Sequence, residues 1–254
     1  MSDDLSRPPR NWFDHEGKSY ARFRPEYPSQ LAAFLASIAP DTQLAIDVGC
    51  GSGQMTQLLS HYFNKVVGLD KSADQIANAT PNGKIQYKCA GAEKLPIADN
   101  SASLITAAQS AHWFELQSFY GEVKRIGVQD AILALISYGV VRLEPTLDHI
   151  FQNFYRNEVA PYWPPERQLV ESGYAGIDFP FKEFRTPSFQ IRLEWQLTEF
   201  LGYLSTWSAI RNAKEAGQDN ILMAFTEEIS QAWGNQNTPR SLAWPINMRI
   251  GKIL

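Results

Sequence analysis

The sequence predicts an α/β protein built on a largely parallel sheet, and two observations carry this prediction. Short apolar runs alternate with segments of helical periodicity through residues 30–140, and this order produces parallel strands covered by helices on both faces. The first apolar run ends in Gly49-Cys50-Gly51-Ser52-Gly53. A glycine turn between a strand and a helix lets bare backbone approach a ligand, so a binding site is expected there.

Periodicity and capping residues predict the elements of this half in order. A helix is expected over residues 30–39, where apolar side chains recur at helical spacing before Pro40. Helices are also expected from Met55, from the N-cap residue Ser72 to about Thr80, and over residues 117–126. The intervening apolar runs predict strands over residues 44–48, 66–70, 84–89, 103–108 and 131–138. The first 140 residues are therefore interpreted as a Rossmann-like half.

Residues 143–176 interrupt the alternation, because they are rich in Tyr, Trp and Pro and show no order of strand and helix. We interpret this segment as an inserted cap. Beyond it, a strand is predicted over residues 182–192, helices over 195–209 and 220–233, and a final strand over 242–254.

Composition excludes several classes of function. The chain has 254 residues, of which 44% are hydrophobic, and a net charge of −4, so it can bury a core but has no basic field for nucleic acid. Two cysteines are too few for a disulfide framework. Neither a signal peptide nor an apolar run of the roughly 18–20 residues that span a membrane is found. We expect a cytoplasmic protein whose partner is a small molecule, with the oligomeric state left open.

Asp70 indicates which kind of ligand the glycine turn binds. It ends the second predicted strand, where a carboxylate can accept hydrogen bonds from both hydroxyls of a ribose. A dinucleotide fingerprint would place its third glycine at position 54, but Gln54 stands there, which argues against NAD. A nucleoside without a pyrophosphate fits both facts. The alternative is a tight turn without ligand, with Asp70 capping the helix that follows.

Three motifs now resemble the class I S-adenosylmethionine-dependent methyltransferases: residues 47–53 (DVGCGSG), Leu69-Asp70, and residues 91–96 (GAEKLP). The resemblance implies the fold of that class, a mixed seven-stranded sheet with helices on both faces and an inserted α-helical cap. It also implies S-adenosyl-L-methionine as cofactor and S-adenosyl-L-homocysteine as product. The residues expected to bind the cofactor are Tyr20, Arg24, Asp47, Gly49, Cys50, Gly51, Gly53, Asp70, Ala92, Glu93, Gln109 and Ser110.

Four further segments are similar to the small-molecule branch that includes trans-aconitate methyltransferases. They are residues 20–28 (YARFRPEYP), 111–114 (AHWF), 203–208 (YLSTWS) and 244–247 (WPIN). We therefore expect a single domain over residues 1–254. Residues 1–40 would cover the cofactor, residues 41–140 would form the cofactor-binding core, and residues 141–254 would supply the cap and the C-terminal strands.

Tyr20 and Arg24 suit the role of a cover. On a helix, positions four apart share one face, so a hydroxyl and a guanidinium there could close over the carboxylate of the methionine moiety. The alternative is a solvated Arg beside a half-buried Tyr.

His112 is the candidate base or orienting group, because it follows the fourth predicted strand at the edge where open α/β sheets bind ligands. Packing of the pocket wall is an equally good explanation of this histidine. The four histidines show no metal-ligand spacing, and no metal is expected. The residues expected to line the substrate pocket are His112, Trp113, Tyr138, Trp163, Tyr203 and Trp207, although core packing would also explain the aromatic ones.

The sequence therefore predicts a methyltransferase that acts on an oxygen of a small molecule, with a carboxylate favoured. The site needs no metal, and no Asp/Asn-Pro-Pro run follows the fourth strand as in enzymes that methylate DNA adenine. Two alternatives remain open at this point. One is a regulatory protein that binds S-adenosylmethionine without turnover, and the other is an NAD-dependent reductase.

Overall fold

A computed structural model describes residues 25–253 of the chain. Tyr20 and Arg24 lie outside these described residues, so the predicted cover over the cofactor stays a prediction. Within residues 25–253, every helix is too short or too polar to cross a lipid bilayer.

Eight strands of the described chain form one mixed sheet. They are β1 (Leu44–Val48), β2 (Lys65–Asp70), β3 (Ile85–Cys89), β4 (Ala102–Ala108), β5 (Gly127–Tyr138), β6 (Lys182–Glu183), β7 (Phe189–Trp195) and β8 (Arg240–Lys252). The order across the sheet is β3-β2-β1-β4-β5-β8, with β6 and β7 both paired to β8. Strands β1 to β5 pair in parallel, and β8 is antiparallel to its neighbours.

The strands β6 and β7 share one position in this sheet. Ile246 of β8 pairs with Tyr138 on one side and Phe189 on the other, while Lys252 pairs with Ile132 and Lys182. The sheet thus has seven positions, as predicted, and the last is filled by two short strands. The single strand expected over residues 182–192 is wrong in this respect, because Pro187 has no N–H for a ladder hydrogen bond and the strand breaks around it.

The helices of the described chain cover both faces of the sheet and form the cap. They are α1 (Ser29–Ile38), α2 (Gln54–Leu59), α3 (Ala73–Ala77), α4 (Leu116–Ile126), α5 (Pro145–Asn153), α6 (Arg167–Glu171), α7 (Leu197–Ser205), α8 (Ser208–Glu215) and α9 (Asn220–Trp233). A π-helical turn, Phe154–Glu158, extends α5. The helix predicted over 195–209 is two helices, which break at Thr206 and Trp207.

Alternate residues of the central strands fill two hydrophobic layers. Ile132, Ala134 and Ile136 of β5 belong to one layer, which also contains α1, α2 and the cap helices. Leu133 and Leu135 face the other layer with α4. This burial on both faces explains why the strands read as unbroken apolar runs, and it leaves their carboxyl ends free to form a site.

Candidate cofactor and acceptor site

The turn after β1 has the backbone of a ligand-binding loop. Gly49, Gly51 and Gly53 have φ of 68°, 55° and 95°, in the left-handed region that glycine adopts without strain. The amides of Gly49 and Cys50 both donate to the Leu69 carbonyl, at 2.7 and 3.0 Å. The turn is therefore fixed against the end of β2.

The three glycines are required for different reasons. A Cβ at Gly49 would collide with the Ser110 side chain, and one at Gly53 would collide with the Tyr87 hydroxyl. A Cβ at Gly51 would meet only a Gln75 oxygen, at 3.7 Å, in a wall that faces an open cleft. Gly51 thus leaves room for a ligand, whereas Gly53 makes room for protein and does not line the cleft.

Asp70 joins the glycine turn to the start of α3. Its Oδ2 accepts from the Gly51 amide at 2.8 Å, and its Oδ1 accepts from the Ser72 amide at 2.8 Å. Asp70 thus accepts from the amide of Ser72, which is the N-cap residue of α3, whereas the Ser72 side chain caps the helix by accepting from the Gln75 amide. A carboxylate oxygen can accept a second hydrogen bond, so each Asp70 oxygen can still accept a ribose hydroxyl.

Asp47 is a buried carboxylate below the turn. Its two oxygens accept from the hydroxyls of Thr56, at 2.6 Å, and Thr106, at 2.8 Å. Burial raises the pKa of Asp47 to about 6, although the two hydroxyls partly offset this. The charge is thus held by hydrogen bonds in a place that disfavours it.

Asp47→Asn is expected to stabilise the fold near neutral pH. Because the folded-state pKa of about 6 exceeds the ordinary aspartate pKa of 3.8, the contribution of Asp47 to stability falls as pH rises from about 4 to about 6. The variant should raise the free energy of unfolding by roughly 1–3 kcal/mol at about pH 7.5 and by little at about pH 4. Urea unfolding at both pH values measures this, and an equal change at both would contradict it.

An open cleft lies above the turn, where small-molecule sites of open α/β sheets are found. Most of the predicted cofactor residues line it, namely Asp47, Gly49, Cys50, Gly51, Asp70, Ala92, Glu93, Gln109 and Ser110. Sequence reasoning missed Gln75 and Phe114, which also line it. Gln75 lies outside the motifs given above, whereas Phe114 belongs to residues 111–114 (AHWF) but was not assigned to the site.

The chain is similar to known methyltransferases along nearly its whole length. A methyltransferase domain family matches residues 46–135. A Dictyostelium discoideum protein named as a methyltransferase is 32% identical over 247 residues, which is 94% of each chain. A solved structure from Anaeromyxobacter dehalogenans, described as a Type II methyltransferase, is 38% identical with a TM-score of 0.86, and the match covers 91% of this chain and 99% of that chain. The chain belongs to the class I S-adenosylmethionine-dependent methyltransferases.

S-adenosylmethionine is the cofactor of this methyltransferase, and the chemistry of the cleft fits it. Gly51 leaves the turn open, and Asp70 offers carboxylate oxygens beside it. Across the cleft lie Ala92 and Glu93, where the Glu93 Oε1 accepts from the Glu115 amide at 3.1 Å. The wall thus offers backbone amides and carboxylates. A ligand that carries a ribose and a positively charged centre requires such polar groups.

The end of β4 forms another wall of the methyltransferase cleft. Gln109 has a φ of 56°, and its Nε2 donates to the Tyr138 carbonyl at 3.2 Å. The Ser110 hydroxyl donates to the Val48 carbonyl at 2.9 Å. These bonds connect the ends of β4, β5 and β1, so a ligand in the cleft would meet a braced surface.

His112 lies just behind this wall. Its Nδ1 is 3.1 Å from the Tyr174 hydroxyl, and its ring centroid is 4.8 Å from that of Trp113, which lines the cleft. Burial, with a smaller effect of the Arg167 charge, lowers the pKa of His112 to about 4. The imidazole is therefore neutral at physiological pH and is a weak base.

The aromatic residues predicted for the substrate pocket fall into two groups. Trp113 and Tyr138 line the cleft. Trp163, Tyr203 and Trp207 pack together in the cap, where Trp207 lies 5.1 Å from Trp163 and 5.5 Å from Tyr203 between ring centroids, and they are not part of the cleft wall. Burial of Tyr203 and Trp207 shows that both contribute to the core of the cap.

Proposed function

We propose that this methyltransferase transfers the methyl group to an oxygen of a small organic molecule, and that the oxygen belongs to a carboxylate. The observation that carries the proposal is His112. A hydroxyl acceptor benefits from a base whose pKa is near the working pH, but the pKa of His112 is lowered to about 4. A carboxylate is already ionised at neutral pH and needs only orientation.

The residues of the cleft have binding and positioning roles in this proposal. S-adenosylmethionine, when bound, supplies a methyl group activated by the sulfonium. Asp70 would accept from the ribose, and Ala92 and Glu93 would lie beside the adenine. Gln109, Ser110 and Asp47 would surround the methionine part, and Tyr20 and Arg24 would cover it. Alignment and exclusion of water are then sufficient for the displacement.

The resemblance to the trans-aconitate branch supports a small organic acid as the acceptor. The net charge of −4 argues against nucleic acid as a partner. We also propose a cytoplasmic location, as the sequence predicts.

His112→Ala tests the acceptor atom. With a carboxylate acceptor, the variant should keep most of the rate, and the rate should stay flat from about pH 6 to about pH 8 because neither the acceptor nor His112 titrates there. With a hydroxyl acceptor that uses His112 as base, the rate should fall by about a hundredfold or more. His149→Ala, at an exposed histidine of α5, is the control.

Transfer of radiolabelled methyl to a panel of organic acids, phenols and alcohols is the measurement. An alkali-labile methyl ester as product supports the proposal. An alkali-stable ether contradicts it, and so does binding of the cofactor without transfer to any member of the panel.

A further inference from the structure

Arg167 of α6 is held firmly within the cap. Its Nε donates to the Tyr155 hydroxyl at 3.1 Å and to Glu171 Oε1 at 3.3 Å. Its guanidinium carbon lies 4.6 Å from the centroid of the Trp163 ring, and the side chain is only 18% exposed. One edge and one face of the guanidinium are thus occupied, which fixes the direction of the two terminal amino groups.

Three donor nitrogens of Arg167 and Trp163 lack an acceptor within residues 25–253. The Arg167 Nη1 and Nη2 atoms make no hydrogen bond to any of residues 25–253. The indole Nε1 of Trp163 is buried and likewise has no acceptor in that part of the chain. Of these donors, only the Trp163 N–H is fully buried. Buried donors are nearly always paired in proteins, because an unpaired one loses its hydration without compensation. A ligand with acceptor oxygens would supply what is missing.

These donors do not line the methyltransferase cleft, but they are linked to its wall through His112 and Trp113. The positive charge of Arg167 acts on His112, and the ring of His112 is 4.8 Å from that of Trp113 in the cleft wall. His112 also contacts Tyr174, whose ring stacks on it at 6.1 Å. A molecule that extends from the cleft past His112 would therefore approach the open edge of the guanidinium.

We propose that Arg167 and Trp163 bind an anionic group of the methyl acceptor that is not itself methylated. A carboxylate that pairs with both terminal nitrogens of an Arg accepts two charge-assisted hydrogen bonds. These bonds hold electron density on its oxygens, so it is a poor nucleophile. The two terminal nitrogens of Arg167 thus suit a carboxylate that anchors the acceptor while another oxygen of the acceptor is methylated. The acceptor then carries at least one anionic group besides the reacting oxygen. The assignment of this anion to the acceptor rests on the proposed function, whereas its binding can be measured without turnover.

Calorimetry with the protein saturated in S-adenosylhomocysteine tests the binding. The probes are succinate, glutarate, adipate and citrate, with neutral succinamide for comparison. We expect at least one of the acids to bind, and Arg167→Gln to weaken it at least about tenfold, since a charge-assisted pair is removed. Trp163→Phe keeps the ring under the guanidinium but removes the N–H, so a loss of about threefold to tenfold is expected.

Two controls separate this effect from misfolding. Arg156→Gln changes an exposed arginine of the neighbouring π-helical turn and should leave the affinity for the acids unchanged. All three variants should bind S-adenosylhomocysteine as the wild type does. Turnover gives a second readout. Arg167→Gln is expected to raise KM more than it lowers kcat. Butyrate, which has a single carboxylate, is expected to be a poor acceptor.

The proposal is overturned if none of the acids binds the wild type, if succinamide binds as well as succinate, or if Arg167→Gln binds the acids with unchanged affinity. Efficient methylation of butyrate would also overturn it. These results are independent of the test of the acceptor atom, because an ether product would contradict the carboxylate reaction while leaving the measured anion binding as it stands.

Discussion

Asp70→Ala is expected to weaken S-adenosylhomocysteine binding by about tenfold to a hundredfold. Hydrogen bonds to a charged acceptor contribute about 1.5–3 kcal/mol, and the variant removes the ribose acceptors. It also removes the bonds from Asp70 to the Gly51 and Ser72 amides, so the turn itself loses support. Titration calorimetry measures the affinity directly.

Asp74→Ala is the matched control for this variant. Asp74 lies on the adjacent helix α3, but it does not line the cleft, so its loss should leave the affinity unchanged. If Asp70→Ala binds S-adenosylhomocysteine as tightly as the wild type, then Asp70 only supports the glycine turn and the start of α3 and does not bind the ribose.

Gly49→Ala is expected to destabilise the fold by about 2–5 kcal/mol. A non-glycine residue in the left-handed region costs about 1–2 kcal/mol, and overpacking costs about 1–3 kcal/mol more. Here the new Cβ would meet the Ser110 side chain, which is held by its bond to the Val48 carbonyl and cannot easily move away. Urea unfolding followed by tryptophan fluorescence gives the free energy of unfolding.

Gly217→Ala isolates the backbone contribution to that loss. Gly217 also has a left-handed φ, of 77°, but nothing lies within 4 Å of the place where its Cβ would stand. This variant should therefore lose only about 1–2 kcal/mol. Equal destabilisation by the two substitutions would show that the contact with Ser110 carries no energy.

The cofactor half could be predicted closely because its signals are local. The bounds of β1, Leu44–Val48, agree with the prediction, since an apolar run stops at a glycine turn. Ser72 is the N-cap of α3 as expected, and its side chain accepts from the Gln75 amide at 3.3 Å. The predicted end of that helix near Thr80 is wrong, because it ends at Ala77.

The cap could not be predicted to the same degree, because its contacts join residues far apart in the chain. Nothing in the local sequence brings His112 to Tyr174 or Trp163 to Trp207. The break between α7 and α8 contains no Gly or Pro that would predict it. There the Thr206 hydroxyl bonds to the Tyr203 carbonyl at 2.7 Å, which a pattern of apolar residues does not reveal.

The pairing of β8 bears on how molecules enter and leave the site. This strand hydrogen-bonds to β5 of the cofactor half on one edge and to β6 and β7 on the other. The cap insertions leave the sheet after β5 and β7 and return to it at β6 and β8, so both ends of each are anchored in one continuous ladder. Hinge rotation of the whole cap would break that ladder. Entry of substrates and release of products are therefore expected to depend on local opening of the connecting segments. Such opening needs far less free energy than breaking a central sheet.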